Sequence, residues 1–60
     1  MIREEFLKLY ANLPVKLREE VILVLDKEGP ITWNSAYFEI NNKTKLGEII
    51  LKKLKELRIL

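Results

Sequence analysis

The stretch LREEVILVLDKEGPITW, residues 17–33, decides the fold, because two periodicities compete within it. Leu17, Val21, Val24 and Leu25 recur at the three- and four-residue spacing of a helical stripe. The uninterrupted run Val21 to Leu25 reads equally as a short buried strand, which would pair with Ile31 to Trp33 in a hairpin around residues 20–33. The end signals favour the helix. Gly29 can take the left-handed conformation that closes a helix, Pro30 cannot continue one, and Pro14 suits a first helical turn. The spacing therefore predicts a helix from Pro14 to Glu28, with the hairpin as the alternative. In the helical reading Ile22 lies off the main stripe and Leu23 falls among Glu19, Asp26 and Lys27, where the pair would form a self-association surface. In the strand reading that anomaly disappears.

Outward from this segment the helical pattern is clearer. Towards the amino terminus Ile2, Phe6, Leu9, Tyr10 and Leu13 share a face, Glu4 and Lys8 stand at i,i+4, and Pro14 ends the run because the residue before a proline avoids the α region. Towards the carboxyl terminus Thr32 is a good N-cap for a short helix whose inner face carries Trp33, Ala36, Tyr37 and Ile40 and which stops at Asn41 and Asn42. Thr44 caps a last helix with Leu46, Ile50, Leu54 and Leu57 as its apolar stripe and Lys45, Glu48, Lys52 and Lys55 opposite. Lys53 lies at the edge of that stripe, where its stem covers apolar surface. The expected fold is mainly α: one domain over residues 1–60, a small helix-turn-helix-like bundle of about four short helices, with α+β as the alternative if residues 20–33 form a hairpin.

A chain of 60 residues buries only about 60% of the surface its unfolded state exposes, so its core needs reinforcement. With neither Cys nor His, disulfides and a structural zinc are excluded as the source. Efficient helix packing, self-association or docking on a larger partner remain. The abundance of Leu, Ile, Lys and Glu beside the absence of Gln, Cys and His is the direction in which hyperthermophile proteins drift. Met1 is followed at once by Arg3, Glu4 and Glu5, and no apolar run approaches the length of a membrane span, so a complete, cytoplasmic reading frame without a signal peptide is expected.

The net charge of +2 conceals an asymmetry. Residues 1–40 carry five basic and seven acidic groups, whereas residues 41–60 carry six and two. A basic end suits phosphates or an acidic protein, although Lys-rich helices are commonly just solvated faces. Catalysis finds little to work with: one Ser, two Thr, one Asp, eight Glu and two Tyr, with no Ser/His pairing. Glu4/Glu5 and Glu19/Glu20 are sequence neighbours and on a helix would point about 100° apart, as solvated rather than convergent carboxylates. Neither Gly29 nor Gly47 opens a phosphate loop. Trp33 and Tyr37 are expected in the core, and Phe38, off their stripe, is expected at the surface.

From Leu17 to Leu60 the order of apolar positions and caps resembles the three-helix core of winged-helix and helix-turn-helix domains. LREEVILVLDKEGPIT looks like a first helix ending in Gly with the apolar-Thr pair that opens the second, and NNKTKLGEIILKKLKELRIL looks like the turn, the recognition helix and its Leu-rich end. The sequence departs from the family in placing Asn41 and Asn42 where the turn usually has glycine and in stopping at Leu60, where a wing would follow. The resemblance implies a recognition helix whose exposed first turns are Lys43, Thr44, Lys45 and Glu48, followed by Lys52 and then Lys55. Lysines supply phosphate affinity rather than sequence readout, and no Arg lies in this window.

Two functional readings follow. The first is a small, non-enzymatic helix-turn-helix-like protein that binds duplex DNA, as a homodimer or alone, with no cofactor. The second is a protein interaction module, or a small subunit of a larger assembly, using an apolar surface of Ile22, Leu23 and Phe38.

Overall fold

The computed structural model describes residues 2–60 and contains three α-helices and one two-stranded antiparallel hairpin. Helix α1 (Ile2–Ala11) opens with Glu4 and Glu5 and closes with Lys8, the order that the helix macrodipole favours. It buries Phe6 completely, and the side-chain amide of Asn12 donates to the Lys8 carbonyl at its end. A short 3-10 turn, Val15–Glu19, follows Pro14.

Strand β1 (Val21–Leu25) and strand β2 (Gly29–Thr32) then pair, with Leu23 opposite Ile31 and Leu25 opposite Gly29. The long helix expected over Pro14–Glu28 is therefore replaced by the alternative hairpin. Burial explains why. Of the four residues of the helical stripe, Leu17, Val21 and Val24 stand exposed and Leu25 alone is buried, whereas the alternate strand positions Leu23 and Leu25 are both buried with Ile31. Five consecutive residues without a charge, three of them β-branched, favour a pleated surface that needs only one buried side. Gly29 does have positive φ, at 78°, but it closes the Asp26–Glu28 turn rather than a helix. An irregularity in register between Val21 and Leu23 leaves Ile22 half-buried, and the Trp33 amide donates to the Glu20 carbonyl beyond the ladder.

Helix α2 (Trp33–Asn41) starts at Thr32, whose hydroxyl accepts from the Ser35 amide at 3.0 Å, and buries Ala36 and Ile40. Helix α3 (Lys45–Glu56) buries Gly47, Ile50, Leu51 and Leu54. Leu57, expected in its apolar stripe, is instead exposed. The helix ends one residue earlier, and Arg58, at φ 60°, turns the chain so that Leu60 packs on the core in its place. The amide of Ile59 donates to Leu54 O and that of Arg58 to Lys55 O, the paired bonds of a Schellman motif.

All three helices contact one another, α2 and α3 most extensively. Phe6, Leu23, Leu25, Ile31, Ile40, Ile50 and Leu54 form the centre of one core to which every helix and both strands contribute. No helix among the described residues is long and apolar enough to cross a membrane.

Candidate nucleic-acid interface

The α2–α3 corner is built from a chain of local hydrogen bonds. At the end of α2 the Lys43 amide donates to Ile40 O at 3.2 Å and the Thr44 amide to Glu39 O at 3.1 Å, a second Schellman motif with Lys43 at φ 55° in its left-handed position. Asn41 and Asn42 are not the residues that take this conformation; Lys43 is. The Thr44 hydroxyl then accepts from the Gly47 amide at 2.9 Å and donates to the Glu39 carboxylate at 2.6 Å. Thr44 thus ends one helix with its amide and starts the next with its side chain, and both polar groups are committed to the corner rather than to a phosphate.

Gly47 allows the two helices to approach. A Cβ built there would lie 2.5 Å from Glu39 O and 3.0 Å from Ile40 Cα. This closeness fixes α3 against the last turn of α2, so three residues, Asn42 to Thr44, suffice to connect them.

At 100° per residue, Ile50 and Leu54 point inward and Lys45, Ile49 and Lys52 point away from the core. Ile49 is 51% exposed, an apolar side chain flanked by two lysines on the outward line. Lys45, Glu48, Ile49 and Lys52 together line a shallow depression on this surface. Lys55 lies round the helix on the Glu48 side. With Ile2 and Leu51 it borders an apolar groove between α1 and α3, whose rim also includes Lys52 and Glu56. The six residues implied by the resemblance are therefore divided: Lys45, Glu48 and Lys52 share one surface, Lys43 stands exposed in the turn beside it, Thr44 belongs to the corner, and Lys55 flanks the groove. Lys53 forms an ion pair with Glu56 at 3.8 Å.

The apolar surface read from Ile22, Leu23 and Phe38 requires correction. Leu23 is only 7% exposed and lies in the core, Ile22 packs against that core, and Phe38 alone of the three is well exposed, at 62%. The alternation along β1 turns Leu23 inward and leaves Val24, which sequence periodicity had assigned to a buried stripe, 67% exposed.

Four of the five aromatic residues, all but Phe38, form a ladder against the core. Phe6 stacks on Trp33 at 5.9 Å and on Tyr10 at 6.3 Å, and Tyr10 lies 4.3 Å from Tyr37 with their rings 12° from parallel. The Arg18 guanidinium covers the Tyr10 ring at 4.4 Å, and the Tyr10 hydroxyl donates to Asn34 Oδ1 at 2.7 Å. Sequence spacing located Trp33 and Tyr37 inside, but the Arg18–Tyr10 contact joins the 3-10 turn to α1 and has no periodic signal. Nothing in comparisons with protein-family models, curated proteins and solved structures matches this chain.

Proposed function

We propose that this chain is a small, non-enzymatic nucleic-acid-binding module of helix-turn-helix type, with α3 as its recognition helix. One observation carries the reading: α2, a three-residue turn and α3 form a rigid corner that holds the line Lys45, Ile49, Lys52 directly away from the core. The three-helix unit behind it is α1, α2 and α3, with the hairpin inserted between its first two helices. Lys43, Lys45 and Lys52 neutralise phosphates on either side of a major groove, and Ile49 meets the groove floor, where a thymine methyl is the apolar feature available. Glu48 on the same surface opposes the backbone charge, so binding is weak at moderate salt.

Each phosphate neutralised on duplex DNA lowers log K by about 0.9 per decade of salt, so three lysines give a slope near 3. Fluorescence anisotropy with a labelled duplex at a series of salt concentrations measures it. The variant Lys45→Glu/Lys52→Glu is expected to lose binding while keeping its circular dichroism, since both side chains are exposed. Absence of binding by the wild type at low ionic strength, or equal binding by this variant, refutes the proposal.

A further inference from the structure

We propose that the depression beside Arg18 binds the phosphate group of a small phosphate monoester. Arg18 is held in place without a counter-charge. Its guanidinium lies 4.4 Å above the Tyr10 ring, whose other face Tyr37 covers at 4.3 Å, and its Nη2 donates to the Tyr10 carbonyl at 3.3 Å. It makes no ion pair among the described residues, and its Nε is buried with no acceptor. A cation partly withdrawn from water in this way carries a cost that a bound anion offsets. The fork is also ready to receive one. Nη2 has two hydrogens, and whichever points at Tyr10 O, the other stands beside a second unpartnered N–H of the same guanidinium. A two-donor edge therefore remains for an oxyanion.

The surroundings select a phosphate monoester. Arg18 borders a depression of about 270 Å3 together with Tyr10, Val15, Lys16, Glu19 and Asn34. Lys16 is exposed and brings a second cation. The Tyr10 hydroxyl donates to Asn34 Oδ1 at 2.7 Å, which commits the oxygen of that amide and leaves its Nδ2 as a donor. Donors on three side chains, Arg18, Lys16 and Asn34, match the three terminal oxygens of a monoester, whereas a carboxylate or a phosphodiester offers two. The depression is larger than a phosphate group alone, and Val15, 75% exposed, gives the rest of the ligand an apolar wall. Glu19 on the rim opposes the anion, which keeps the affinity modest, with a Kd of about 1 mM.

Inorganic phosphate is the probe, with chloride at equal ionic strength as the reference. About 10 mM phosphate, roughly ten times that Kd, is expected to raise the Tm of the full chain by about 5–10 °C. It is also expected to shift the Arg18 Nε and Asn34 Nδ2 resonances in a proton–nitrogen correlation spectrum. Asn34→Asp keeps an oxygen for the Tyr10 hydroxyl but turns the free donor into a carboxylate oxygen, and Lys16→Glu reverses an exposed charge. Each is expected to weaken phosphate binding by about tenfold or more with an unchanged circular dichroism spectrum. Lys45→Glu/Lys52→Glu is expected to bind phosphate as the wild type does, which separates this site from α3. No saturable response to phosphate, an equal response to acetate, or a response that survives both Asn34→Asp and Lys16→Glu overturns the proposal. So does a Lys16→Glu variant that loses as much affinity for duplex DNA as the α3 variant, because the depression then serves the nucleic-acid backbone.

Discussion

Replacing Gly47 with alanine separates two physical effects of opposite sign. Gly47 is the third residue of α3, and in a helix exposed to water alanine is more favourable than glycine by about 1 kcal/mol. Here the added methyl would lie 2.5 Å from Glu39 O, 2.7 Å from Glu39 C and 3.0 Å from Ile40 Cα. These are backbone atoms of another helix, so no side-chain rotation relieves the contact. The helices must part, by roughly 1 Å if an ordinary van der Waals separation is to return, and overpacking of this kind costs about 1–3 kcal/mol. The separation also lengthens the 2.9 Å bond from the Gly47 amide to Thr44, and an N-cap of this type is worth about 1 kcal/mol. Clash and lost cap together exceed the gain in propensity, leaving a net destabilisation of about 1–3 kcal/mol.

For a domain with a total stability of roughly 3–9 kcal/mol, that loss is large. Each kcal/mol corresponds to about 4–8 °C in Tm at this size. Urea denaturation followed by Trp33 fluorescence and by far-ultraviolet circular dichroism measures it. An alanine variant as stable as the wild type, or more stable, would show that α2 and α3 do not approach as described and would remove the rigid corner on which the functional proposal rests.

The hairpin makes a second prediction: Leu23→Ala, at a buried position, is expected to lose about 2–4 kcal/mol in chemical denaturation, whereas Val24→Ala on the outer face loses less than about 1 kcal/mol. The reverse order is what a helix over Pro14–Glu28 would give. Lys43 occupies a left-handed conformation that costs a non-glycine residue about 1 kcal/mol, so Lys43→Gly is expected to raise the thermal midpoint by a few degrees; a lowered midpoint contradicts the Schellman geometry of the turn.

The helices were legible because each is bounded by chemistry that acts locally. Pro14 ends the first segment, Thr32 and Thr44 each supply a cap oxygen three residues ahead of the amide that needs it, and the inward positions Phe6, Ala36, Ile40, Ile50 and Leu54 follow a period near 3.6. The hairpin was misread because its strongest signal is ambiguous: a glycine with positive φ followed by proline ends a helix and closes a turn equally well. What separates the two states is which alternate residues the rest of the chain can bury. That depends on Phe6, Ile40 and Leu54, each far from β1 in sequence. Leu57 failed for a related reason. Its spacing continues the stripe, but the reversal at Arg58 brings Leu60 to the core instead.

Moving residues 20–32 from helix to hairpin changes the functional argument without removing it. The helical reading takes Pro14 to Glu28 as the first helix of a trihelical unit and leaves Ile22 and Leu23 as a self-association surface. With the hairpin in place, α1 packs on both α2 and α3, and Leu23 becomes part of the core. Of the apolar surface read from Ile22, Leu23 and Phe38, only Phe38 stays exposed. The outward line of α3 is unaffected, because it rests on the α2–α3 corner alone.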